Sequence, residues 1–282
     1  MSFINQLNIL FNQLRNIEDN FAQNSLNLLE NSNILASFNE ELFYEELLNF
    51  ELPAQYYNEN QFGEYNITLF NDIGISIQLY FMDSYLTNIH SHPFEGAFTV
   101  LKGQSVQSHY KFESTRKQSE KLEIGKLTLT GSTKLSKGQC SLISLDSIHQ
   151  LLRLKKKNIT LLVSKLRPID NSQFFYPALK LSSTSVGHDT SRKLSLLNYY
   201  LKNEDTNIKT KTKKLFDKLP VEDLIEIFGH IGQIQSGPYR QLIQTQLLEK
   251  IKTTDLEIYN YLIEHQKYQL GIKKKFDTLK ET

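Results

Sequence analysis

Apolar residues at Phe3, Leu7, Leu10, Phe11, Leu14, Ile17 and Phe21 recur at three- and four-residue intervals, which predicts an N-terminal helix with one buried stripe. The segment NEELFYEELLNF (39–50) predicts a second helix, with Asn39 as its cap and Glu40 and Glu41 in its first turn. From about residue 64 the rhythm shortens to β-rich runs, among them YNITLF, GISIQLYFM, YLTNIH, GAFTVLKG, SVQSHYKF, KLEIGKLTLT, CSLISL, HQLLRL and NITLLVSKL, divided by Gly, Asn, Asp, Ser and Lys. Many short strands at close spacing predict a sandwich or barrel, not alternating βαβ units. Past Pro168 an irregular stretch leads to renewed helical periodicity in SRKLSLLNYYLKN, LPVEDLIEIFGHIG, YRQLIQTQLLEKI and LEIYNYLIEHQKYQLGI. Pro220 lies near the start of one of these helices, and Gly229, Gly232 and Gly237 mark its end. The expected organisation is a helical segment (1–55), an all-β core (60–170) and a helical region (185–282).

Composition changes this picture little. The 282 residues are long enough for a packed core, and a net charge of +1 with dispersed basic residues gives no electrostatic footprint for nucleic acid or an anionic membrane. The single cysteine, Cys140, excludes an internal disulfide framework, and MSFINQLNILFNQLRNIEDN lacks the pattern of a signal peptide. No run reaches about eighteen apolar residues. A cytoplasmic protein is expected.

Chemistry concentrates in NIHSHPFEGAFTVLKGQ (88–104). Residues i and i+2 of a strand share a face, so His90 and His92 can aim both imidazoles at one point. A metal site needs a third ligand, and His149, in KGQCSLISLDSIHQLL, is the candidate on a neighbouring strand. Three neutral imidazoles leave about half of an octahedral ferrous ion open, enough for a substrate and dioxygen side by side. Zinc or manganese in the same ligands would instead polarise a carbonyl or activate water.

Residues 84–103 and 138–153 resemble the two short motifs of the cupin superfamily. His90, His92 and Gly103 match the first motif, and Gly138 and His149 match the second at the family's spacing. Gly96 stands at the place of the family's metal-binding glutamate, with Glu95 one residue earlier as a fourth ligand if a bulge turns it inward. Ser84, Ser144, Asp146 and Arg153 replace other motif residues. The three-histidine pattern, with LDSIHQL, is similar to the thiol dioxygenases of the cysteine dioxygenase type. That family's carboxylate-holding arginine has no counterpart in GISIQLYFM, and its Ser-His-Tyr arrangement has none in NITLLVSKLRP. The resemblance implies a mainly β fold with helical flanks: a cupin (double-stranded β-helix, jelly-roll) barrel with N-terminal helices and a C-terminal helical bundle. It further implies a divalent metal, foremost Fe(II), with Zn, Mn and Ni compatible, and an oxygenase acting with dioxygen on a small polar metabolite such as an amino acid or thiol. A metal-dependent isomerase or hydrolase is a second reading. A ligand-sensing barrel whose helical region contacts a partner, or forms a homodimer, is a third.

Within 74–82, Ile75, Ile77, Leu79 and Phe81 alternate with Ser76, Gln78, Tyr80 and Met82. If the second set lines the barrel, Gln78 and Tyr80 become substrate contacts. Tyr110, sharing a face with Val106 and Phe112, is expected near the site, whereas His109, Gln107 and Lys111 are expected on the exposed face. His188 either closes over the pocket or precedes the next helix, which Asp189 or Thr190 is expected to cap, while His230 and His265 are expected to be structural and Cys140 a buried inert thiol.

Overall fold

The structure, a computed structural model, describes residues 1–55, 65–82, 86–155, 157–166, 173–176, 178–182, 199, 207–230 and 238–280. Ser84, His188, Asp189, Thr190, Gly232, Gly237 and the SRKLSLLNYYLKN stretch except Tyr199 lie outside them. The chain divides into two compact units, 1–111 with 128–172 and 112–127 with 173–282.

The first unit begins with four helices, α1 (Phe3–Leu14), α2 (Phe21–Glu30), α3 (Ile34–Ser37) and α4 (Glu40–Leu48). The single stripe expected from Phe3 to Phe21 is broken into two helices. Asn20 adopts a left-handed conformation (φ 50°) ahead of α2, which asparagine tolerates better than most residues. At α1 the free amides of Phe3 and Ile4 donate to the Glu46 carboxylate (3.3 and 3.0 Å), so a side chain of α4 caps a neighbouring helix. Asn39 caps α4 as expected, accepting from the amides of Glu41 (3.0 Å) and Leu42 (3.2 Å).

Nine strands follow: β1 (Tyr65–Asp72), β2 (Ile75–Met82), β3 (Ile89–Ser91), β4 (Phe94–Lys102), β5 (Gln104–Lys117), β6 (Leu122–Ser136), β7 (Cys140–Ile143), β8 (Ile148–Arg153) and β9 (Asn158–Leu166). One sheet has the order β1-β2-β9-β4-β7, and in the other β3, β8, β5 and β6 are successive neighbours. Gly103 and Gly138 take positive φ (99° and 86°) at the turns after β4 and before β7, which explains why both motif positions are glycines.

The five-stranded sheet is buried on both faces. Ile75, Ile77, Leu79, Ala97, Leu161 and Val163 point outward into a core shared with Phe3, Leu7, Leu10, Leu14 and Phe21 of α1 and α2. The alternate residues Phe98, Val100 and Leu162 face the barrel interior with Ile143 and Leu135. Every second residue therefore stabilises the helical cover, and the others are available to shape the interior.

The second unit contains the outer parts of β5 and β6 with β10 (Gln173–Tyr176) and β11 (Leu179–Ser182), and β11 pairs Leu179–Leu181 with Ile124–Leu122 of β6. Its described helices are α5 (Ile208–Phe216), α6 (Val221–His230), α7 (Pro238–Thr254) and α8 (Leu256–Lys280). No described helix is long and apolar enough to cross a membrane. His265 of α8 is buried edge-on against the Tyr176 ring (centroids 5.1 Å), and burial lowers its pKa to about 4. Because the unfolded imidazole takes a proton near pH 6.5 and the folded one only near 4, protonation favours unfolding as pH falls through that window. His265→Leu is expected to remove on the order of 3 kcal/mol of the stability lost between pH 6.5 and 4. Urea unfolding of both proteins across that range measures the difference.

Candidate metal centre

Strand β3 lies antiparallel to β8 with His90 directly opposite His149. Directly paired residues share a face, so both imidazoles enter the barrel, and His92, two residues on, follows them. The three Nε2 atoms form a triangle: His90 to His92 is 3.1 Å, His92 to His149 is 2.9 Å and His149 to His90 is 3.0 Å. All three rings are buried, and His92 also stacks on Phe94 (centroids 4.3 Å). The strand pairing alone brings the three rings together inside the barrel.

The triangle has the dimensions of a metal-binding face. Bonds of about 2.1 Å meeting at right angles hold their nitrogens about 3.0 Å apart, whereas tetrahedral angles would spread them to about 3.4 Å. The three sides are short enough for one ion to contact all three nitrogens. The electrostatics agree. Burial lowers the His90 pKa to about 4 and holds His92 and His149 well below the ordinary histidine range, with the other imidazoles adding to the effect. All three are neutral near pH 7 and offer lone pairs. His90 Nδ1 donates to the Asn88 carbonyl (2.8 Å), so its Nε2 carries the lone pair into the triangle.

His149 is supported by Gln107, whose amide nitrogen lies 2.8 Å from Nδ1 while its Oε1 accepts from Ser141 Oγ (2.7 Å). Turning that amide over lets Oε1 accept from an Nδ1–H and frees the Nε2 lone pair for a metal. Ser141 serves either orientation, since a hydroxyl both donates and accepts. Sequence reasoning missed Gln107 by assigning β5 the wrong inward face. Gln107 pairs with Leu151 and His109 with His149, so their side chains share the histidines' face, and Gln107 is only 1% exposed. His109 is half-buried there, not exposed.

Tyr110 accordingly faces the other way, its hydroxyl donating to Gln150 (3.2 Å). The cavity above the histidines is lined by Tyr80, Met82, Phe98, Ile143, Leu151, Thr160 and Leu162. Gln78 lies one step removed, accepting from the Tyr80 hydroxyl (3.1 Å) and donating to Thr68 (3.1 Å). Neither Gln78 nor Tyr110 is part of the wall. Burial raises the Tyr80 pKa and keeps it a neutral phenol.

Among the described residues His90, His92 and His149 form the group that could hold a metal ion, and Glu95 is not part of it. Glu95 lies opposite Lys165 in the β4–β9 ladder. A Cβ on Gly96 would come 1.9 Å from the Val163 carbonyl oxygen, so no glutamate fits where the motif places one. The two strands approach too closely there.

No protein-family model matches the sequence, and no curated protein matches it. Similar solved structures include a hydroquinone 1,2-dioxygenase in complex with Cd2+ and 4-hydroxybenzonitrile (15% identity over 36% of this chain and 64% of that one, TM-score 0.28). DMSP lyases (13% identity, 39% and 51% covered, TM-score 0.29) and an oxalate oxidase in complex with the substrate analogue glycolate (19% identity, 36% and 46% covered, TM-score 0.26) are others. This chain spans 64% or less of each of these three chains. With overlaps this partial, the site is read from its own geometry.

Gln107→Leu is expected to weaken divalent-metal affinity about 10- to 100-fold by releasing His149 from its partner. Competition with a chromophoric chelator measures this, with circular dichroism confirming the fold.

Proposed function

We propose that the barrel is a metal-dependent enzyme in which His90, His92 and His149 hold a divalent ion, foremost Fe(II), and that it oxidises a small molecule with dioxygen. The observation that carries the reading is the triangle of neutral ring nitrogens close enough to share one ion, facing a cavity instead of a packed core. A bound ferrous ion supplies open positions for substrate and dioxygen together and a one-electron couple between them.

The chain's own residues perform the supporting tasks. His90 is held in one tautomer by Asn88, and His149 is positioned by Gln107. The apolar wall limits water at the reacting centre. Tyr80 lines the wall as a neutral phenol, its hydroxyl held by Gln78.

Protein purified without oxygen is expected to carry about one ferrous ion per chain after reconstitution, and His149→Ala about none. Metal analysis by mass spectrometry, with oxygen uptake recorded over a panel of small substrates, tests this. Tight zinc binding with no oxygen uptake for any substrate would overturn the oxygenase reading.

A further inference from the structure

The walls of the cavity define what can enter it. Its volume is about 50 Å3, room for roughly three to five water-sized occupants. Met82, Phe98, Ile143, Leu151 and Leu162 make its surface almost wholly hydrocarbon. Apart from the three histidines, no described acidic or basic side chain lines it. Arg153, further along β8, is buried and donates Nη1 to the Met82 carbonyl (2.8 Å) without joining the wall.

Charge balance then selects the occupant. Three neutral imidazoles contribute no negative charge, so a divalent cation held by them keeps its full +2 in apolar surroundings, where uncompensated charge is costly. An anionic group on the substrate relieves this most directly by binding the metal itself, because beyond the histidines the described wall offers only the neutral Tyr80 and Thr160 hydroxyls. An ammonium group finds neither a carboxylate nor a hydrogen-bonding cluster on those walls, and stays costly.

Resting on the metal reading of the three histidines, we propose that the site takes a small monoanion of about four to six non-hydrogen atoms, whose ionised oxygen or sulfur end binds the metal and whose remaining body is uncharged hydrocarbon. This narrows the polar metabolite expected from the motifs. A simple thiolate, carboxylate or enolate fits, and a zwitterionic amino acid does not.

The test uses the full chain loaded with Co(II), which is stable in air, beside the metal-free chain. Cobalt uptake is measured first. Calorimetric titration then compares acetate, propionate, butyrate and hexanoate with 1-butanol, 2-aminobutyrate and succinate. Binding is expected only with cobalt present, tightening about fourfold per methylene from acetate to butyrate and weakening at hexanoate. The alcohol, the amino acid and the dianion are expected to bind at least about tenfold more weakly than butyrate, the cost of a missing or surplus charge. If cobalt binds but 2-aminobutyrate or succinate binds as tightly as butyrate, the substrate class is wrong and the metal reading stands. Equal butyrate binding without cobalt overturns the substrate class in the same way. If no cobalt binds, both fall together.

Discussion

The pairing of a three-residue strand, β3, with β8 is the constraint on which the centre depends. His90 stands opposite His149, and a slip of one residue would turn an imidazole out of the barrel. The pairing is reinforced beside the histidines. The Thr87 hydroxyl accepts from the Leu151 amide (2.9 Å), the Thr87 amide donates to the Leu151 carbonyl (3.0 Å) and the Gln150 side chain donates to the Thr87 carbonyl (2.9 Å). These bonds fix the register beside the one position where a metal centre would need it.

Stability and chemistry are divided between the two faces of one sheet. Its outer face, covered by α1 and α2, carries an extensive apolar cluster. The inner face can therefore hold Tyr80, Thr160 and a cavity at modest cost, because the fold does not rely on that surface alone. The helices are structural participants in the barrel, and they supply the apolar layer that lets its interior be incompletely filled.

Within the interior, a positively charged ion is the natural counterpart of the donor set. Three imidazoles buried within about 3 Å of one another disfavour protonation by desolvation and by mutual repulsion. Gln107 links this cluster to Ser141 on the facing sheet, so the orientation of one ligand is tied to the packing of both sheets. Gly96 closes off the place of a fourth, acidic ligand by bringing two backbones together. The neutral donor set is thus built into the strand spacing as well as the choice of side chains.

The sequence by itself determined the elements that local physics encodes. The His-x-His pair shares a face because strands have a period of two, the third histidine sits at motif spacing, and the motif glycines occupy turns that need positive φ. The N-terminal helices and the cap at Asn39 were legible for the same reason. Which side of a strand faces inward was not. Alternation says that residues take turns, but when both faces of a sheet are covered, apolar residues no longer mark the interior. Gln107 and His109 therefore looked exposed, and Tyr110 looked buried beside the site. Only the tertiary structure decided that β5 turns its polar residues toward the histidines, that Glu95 stays outside the cluster, and that the cavity wall is hydrocarbon. Each depends on which strands become neighbours and how closely they approach, and that distance is written in no single segment of the chain.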